Sequence, residues 1–585
     1  MPRRDPHSYA DSTQPQVRHV DWKARVDFST HTLSAEAILR LQAPAVGGPL
    51  DLDTRGLEIE SVQSTNGRPL PFTLHPPEPV LGERLSVELE AGTAEIKIVY
   101  RTSTDASALQ WLLPAQTSGK RHPFLFTQCQ PIHARSLLPL QDTPRVRITY
   151  RAQLTIPEEL KGLMAAAHVE RTSLGAEACE TYEMCEPIPP YLFAFAVGNL
   201  RAEELGARSR IWAEPEALAD AAWEFASVDK MLSAAESLFG PYPWERFDLL
   251  TMPPSFPYGG MENPRLTFLT PTLISKDRSM VSVVAHELAH SWTGNLVTNA
   301  SAEDFWLNEG FTVFAERKIT EVLEGRETEQ LHAALGRRSL EEALSRFADR
   351  PELTRLRTHL KGVDPDEAYS VVPYEKGYLF LTALEAAAGR QPFLAFLKSY
   401  TAHFRFQSIT TDDFLAYARK ELPGALEAVD WQAWVDGAGI PANAPVATST
   451  RLDAVLALKG QTPTEPQAGR WTPVEWQVFL HELPTPLPLA QCEALDARFK
   501  LSGRENYEVL VDWLALAVRA GHAPAVARTQ AVLGEVGRMK YLRPLYLALA
   551  ASAEGRVLAR DCFARFKDRY HPIAAAVVER LLQPV

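Results

Sequence analysis

The chain is poor in cysteine: five in 585 residues, an odd number with no C-x-x-C pair, which argues against a disulfide framework and for free thiols in the cytoplasm. It also lacks an excess of positive charge. At a formal net charge of -13 it has no electrostatic footing for nucleic acid, and a site attractive to cationic groups such as a free amino terminus is compatible with it. Long apolar runs are missing too. The longest, around Tyr191 to Val197, falls far short of a membrane span. The stretch from Met1 to Gln16 carries Asp5, Pro6, Asp11 and Pro15 in place of an apolar secretory core, so no signal peptide is expected. No fixed-period repeat is visible, so a true solenoid does not follow from the sequence alone.

What is present sorts into regions. Apolar residues alternate at Val20, Trp22, Ala24, Val26 and Phe28, again at Leu33 to Leu41, Leu85 to Leu89 and Ile96 to Tyr100, and most regularly from Val146 to Ile156. This period of two predicts half-buried antiparallel strands and an all-β domain over residues 1–205. After Pro215 the period becomes helical, so residues 206–440 read as an α+β or mostly α catalytic domain, with Tyr258 to Phe268 an edge strand approaching the site. Proline and small residues mark 441–473 as a linker, and 474–585 show apolar residues every three or four positions, as in stacked helical hairpins.

The chemistry concentrates at His286-Glu287-Leu288-Ala289-His290. Four positions apart on a helix, His286 and His290 share a face and can grip one metal ion, while Glu287 is offset and stays free to act as a base. A catalytic zinc site needs a third protein ligand, and Glu309 is the candidate. Glu316, on the same helical face as Glu309, is placed to hold a histidine in its ligating orientation. The sequence contains its own decoy: His481-Glu482-Leu483 begins alike, but Pro484 and Thr485 follow, so no ligand pair forms there.

The runs Tyr258-Gly-Gly-Met-Glu262-Asn263, His286-Glu-x-x-His290 with Glu309, and Val372-Pro-Tyr374-Glu-Lys-Gly377 resemble the gluzincin zinc aminopeptidases. More narrowly, Phe126-Thr-Gln128-Cys-Gln130, Ser291 to Asn299 and Gly537-Arg538-Met-Lys540 are similar to the leukotriene A4 hydrolase branch. The resemblance runs from near residue 20 to His571-Pro572. It implies a thermolysin-like catalytic domain between an antiparallel β-sheet domain and a helical repeat-like domain, one Zn2+ per chain on His286, His290 and Glu309, and hydrolysis assisted by Glu287. Tyr374 is then the oxyanion donor, and Glu262 with Gln130 the anchor for a free amino terminus. Gln128, Tyr258, Gly259, Gly260 and Met261 would line the substrate, the two glycines letting the strand lie close to it, and Arg538 with Lys540 would hold its carboxylate.

The activity so implied is an aminopeptidase for short peptides, tripeptides above all, acting as a monomer without nucleic-acid or membrane partners. The alternative is a bifunctional enzyme that also hydrolyses the leukotriene A4 epoxide, for which Asp366 and Tyr369 match the required pair. Phe311 departs from the histidine of the vertebrate members, and the lipid activity is expected to be weak or absent.

Overall fold

The computed structural model describes residues 5–366, 368 and 370–583. The alternating runs form the strands that their period requires. Val17–Asp27, Thr32–Leu41, Glu95–Arg101 and Ile148–Pro157 enter a seven-stranded sheet in which Val17–Asp27 pairs parallel with Ile148–Pro157 and antiparallel with Thr32–Leu41. Trp22, Ala24, Leu39, Ile98 and Leu154 point inward from these strands and are buried. A smaller sheet beside it contains Phe124–Thr127, whose end delivers Gln128 and Gln130 towards the catalytic region.

The catalytic region begins with a five-stranded mixed sheet. The segment expected as one edge strand is instead a short hairpin: Gly260–Met261 is the edge and pairs antiparallel with Leu266–Leu269, which lies one position inside. Behind the sheet lie the motif helix Val281–Ala289, the helix Trp306–Glu324 carrying Glu309, and the helix Val372–Ala388 carrying Tyr374. The last two cross at a pair of glycines. A Cβ on Gly377 would lie 2.7 Å from the Gly310 Cα, and one on Gly310 would lie 2.8 Å from the Gly377 Cα. Only residues without side chains permit that approach, and it places Glu309 and Tyr374 next to each other.

The β domain and the catalytic region share one continuous hydrophobic core, whereas the C-terminal helices enclose their own. Residues 441–473, expected to be linker, include the helices Thr450–Leu456 and Glu465–Ala468, and Leu452, Val455 and Ala468 belong to the C-terminal core. Their proline and glycine content reflects short helices with Pro and Gly at the ends, so the irregular connection is shorter than composition suggested. The decoy histidine, His481, is the last residue of the helix Pro473–His481 and pairs with Asp512, 3.1 Å away. Among the described residues no helix is long and apolar enough to cross a membrane.

Backbone pairing docks the helical domain. Gly537 N–H donates to the Pro254 carbonyl at 2.9 Å and Met539 N–H to the Pro257 carbonyl at 3.1 Å, so the chain around Arg538 runs along the loop that leads into the edge strand. Gly537 has no room for a Cβ, which would stand 2.7 Å from the Ser255 Cα. Near the start of the sequence His7 Nε2 reaches the carbonyls of Leu360 (3.1 Å) and Val363 (2.9 Å), tying that segment to the loop before Asp366.

The glycine crossing predicts that Gly377→Ala lowers stability by about 1–3 kcal/mol, the usual cost of overpacking. A thermal midpoint unchanged from that of the parent protein would show that the two helices have slack.

Candidate active site

The site is assembled from several separate stretches of chain. On the motif helix, His286 Nε2 and His290 Nε2 stand 3.2 Å apart, and Glu309 Oε2 lies 3.4 Å from the first and 3.5 Å from the second. Ligand atoms bound tetrahedrally at about 2.0–2.1 Å from zinc are roughly 3.3–3.4 Å from one another. The donor set therefore fits a zinc ion. The remaining ring nitrogens are already committed: His286 Nδ1 donates to Glu316 at 3.0 Å, and His290 Nδ1 to the Thr293 carbonyl at 3.1 Å. That leaves both Nε2 atoms facing Glu309 Oε2, a buried oxygen with no hydrogen-bond partner among the described residues.

Electrostatics point the same way. Burial pushes His290 down to about 4 and keeps it neutral. At His286 burial is outweighed by Glu309 and Glu316, which hold the imidazole well above its ordinary range, so the pocket favours positive charge at this point. Burial pushes Glu287 up to about 8, in the range that lets one carboxyl both take and return a proton near neutrality. Glu262 is raised well above the usual carboxylate range by burial first, then by Glu309 and Glu287; an adjacent cation would reverse that.

Around this centre the expected residues converge on one cavity of about 1490 Å³. Glu262 is buried, its carboxylate accepts from Gln130 Nε2 at 3.3 Å, and its carbonyl is held by Asn295 Nδ2 at 2.7 Å. Gln128 Nε2 contacts Met261 Sδ at 3.3 Å, and Tyr258 lines the wall. Tyr374 stacks near His286 with ring centroids 6.2 Å apart, and its hydrogen bond favours the ionised form of Glu309. Arg538 is buried at the cavity wall while Lys540 is exposed. Asp366 also faces the cavity, half exposed and paired with His133 Nε2 at 2.9 Å. Tyr369 lies outside the described residues.

Two readings change. Gly259 and Gly260 make room for the protein's own groups: a Cβ on Gly259 would stand 3.0 Å from Arg538 Nη2, and one on Gly260 would stand 2.3 Å from Glu287 Oε1. Phe311 does not face the cavity at all; it stacks on Tyr400 in the core, with centroids 4.9 Å apart and planes 6° apart. Sequence reasoning missed Glu508, whose carboxylate meets both Arg538 and Lys540. A lone glutamate at a helix start carries no pattern that could have drawn attention to it.

Family models divide the chain in the same order as the fold. The Peptidase M1 N-terminal domain matches residues 15–192, the Peptidase family M1 domain 223–434, and the C-terminal domain of leukotriene A4 hydrolase 471–582. The chain belongs to the M1 peptidase family. It is 38% identical to a leukotriene A-4 hydrolase of Xenopus laevis over 98% of either chain, and 37% identical to leucine aminopeptidase 2 of Emericella nidulans over 99% of this chain and 98% of that one. A yeast LTA4 hydrolase solved in complex with bestatin superimposes with a TM-score of 0.92 at 32% identity, covering 100% of this chain and 98% of the other. This M1 peptidase is thus a zinc-dependent hydrolase of a family that binds one catalytic zinc.

Because Glu316 fixes the His286 ring, Glu316→Ala is expected to weaken zinc binding about 10–100-fold. Competition against a chromogenic chelator measures it, and parental affinity would remove Glu316 from the account.

Proposed function

We propose that this M1 peptidase removes the amino-terminal residue from short peptides, tripeptides above all. The observation that carries the reading is that one cavity is lined by Glu287, by Glu262 with Gln130, and by the oppositely charged Arg538 with Lys540. His286, His290 and Glu309 would hold the zinc, which when bound supplies a Lewis acid that acidifies water and polarises the scissile carbonyl.

The chain's own groups do the rest. The carboxylate of Glu262 and the amide oxygen of Gln130 accept from the substrate ammonium, so only the first peptide bond lies beside Glu287. Glu287 takes a proton from the attacking water and returns it to the leaving amine. Tyr374, a neighbour of both Glu309 and the cavity, donates its hydroxyl proton to the developing oxyanion. Arg538 and Lys540 take the far carboxylate, which favours substrates short enough to engage both ends. All these groups come from a single chain, so a monomer suffices, and the five free cysteines suit a reducing cytoplasm.

A second reading, epoxide hydrolysis in addition, is favoured by Asp366, whose carboxylate is oriented by His133 in the wall of the same cavity. Phe311 is packed in the core and does not line this cavity.

The test compares one tripeptide with its N-acetylated and C-terminally amidated forms. Acetylation is expected to abolish turnover, and amidation to lower kcat/KM about tenfold or more, the worth of a charge-assisted pair. Glu287→Gln should reduce kcat by about 10²–10⁴, and Arg538→Ala should cost the acid far more than the amide. Equal rates on blocked and free peptides would instead mark an endopeptidase.

A further inference from the structure

Glu508 is the second residue of the helix Tyr507–Arg519, where Asn506 caps the helix by accepting from the Glu508 and Val509 amides. It is only 8% exposed, yet it carries a carboxylate into the wall near Arg538. Oε2 accepts from Lys540 Nζ at 2.6 Å, and Oε1 accepts from the Tyr541 hydroxyl at 2.9 Å and faces Arg538 Nη1 at 3.4 Å. Arg538 Nη1 also donates to the Tyr541 oxygen at 2.7 Å, and its guanidinium lies over the Tyr541 ring. Burial opposes the charge on Glu508, but Lys540 and then Arg538 outweigh it and hold the carboxyl down at about 2. The group is therefore ionised wherever the enzyme works.

Two consequences follow. The first is geometric: one edge of the Arg538 guanidinium is engaged internally, and Nη2 is left directed at Gly259 and the cavity beyond the edge strand. A long side chain fixed in this way loses little freedom when a substrate arrives. The second is a charge count. Two cations with one buried anion make a clamp of net charge one, matched to a single carboxylate. A second carboxylate beside the first would find Arg538 and Lys540 already matched and would be repelled by Glu508.

We infer that Glu508 is a specificity-determining residue that makes the carboxylate clamp singly positive, so that it takes peptides with an uncharged last residue and rejects those ending in Asp or Glu. The inference rests on the assignment of Arg538 and Lys540 as the clamp, and the test separates the two.

Three tripeptides identical in their first two residues and ending in Ala, Asp or Ala-amide are compared on the full-length zinc enzyme and on Glu508→Gln. The parent enzyme should favour Ala over Asp roughly tenfold in kcat/KM. Glu508→Gln, which keeps the shape and an acceptor for Tyr541, should shrink that ratio to about twofold, through KM and not kcat. Glu508→Asp, which retains the charge, should keep most of the discrimination. If the parent enzyme does not prefer the acid to the amide, the clamp assignment itself fails. If it does, and Glu508→Gln leaves the Ala:Asp ratio at the parental value, the inference about Glu508 is overturned. Should Glu508→Gln not fold, Lys540→Gln at the exposed member of the trio decides instead: a ratio steeper than the parental one supports the charge count, and an unchanged ratio refutes it.

Discussion

Crowded negative charge at one sheltered point is the constraint on which the rest of the structure depends. Glu309, Glu287 and Glu262 are buried around two histidines, with Glu316 just behind. Such a cluster is costly unless a cation occupies its centre, because burial and mutual repulsion both oppose ionisation. The separations of the His286, His290 and Glu309 ligand atoms suit a zinc ion, which relieves this repulsion while also activating the chemistry. Folding and metal binding are therefore linked here: the arrangement that makes the site reactive is also the arrangement most in need of the ion.

The fold meets the constraint with close contacts between pieces that are distant in sequence. Gly310 against Gly377 brings the Glu309 and Tyr374 helices together; Gly260 admits Glu287 to the edge strand, and Gly259 admits Arg538. The Gly537 and Met539 amides pair with the loop before that strand. At each of these points a missing side chain lets a functional group from elsewhere reach the cavity. The β domain adds Gln130 through a core it shares with the catalytic region, so its position relative to Glu262 is as firm as any contact within one domain.

How much of this could be read from the chain depended on whether a residue's role is local. The strand alternation and the His286, Glu287, His290 spacing are local, since the period of the backbone alone puts those side chains on one face. Glu316 was legible for the same reason, lying on the Glu309 face of one helix. Gly259 and Gly260 stand out in the chain, but a sequence does not show that Glu287 and Arg538 occupy the space above them. Glu508 was illegible: its partners lie about thirty positions away on another helix, and by itself it looks like any acidic residue in a first turn. Residues 441–473 misled in the opposite sense, since proline at helix starts and glycine at helix ends have the composition of a linker.

Cavity volume does not by itself explain a preference for short peptides. At about 1490 Å³ the space exceeds the roughly 300–1,000 Å³ of ordinary ligand pockets, so a tripeptide does not fill it and steric exclusion is a weak filter. What discriminates must be the polar groups at its ends. In the proposed reading an ammonium would be drawn to Glu262, whose carboxylate is unstable without a cation nearby, and a carboxylate to Arg538, whose other edge is already engaged by Glu508. Each end is a charge left partly uncompensated by the protein, and a substrate completes both only if its own termini are the right distance apart. On the proposed function, length selection would be an electrostatic property, carried by a few fixed charges in the catalytic and C-terminal regions rather than by the shape of the walls between them.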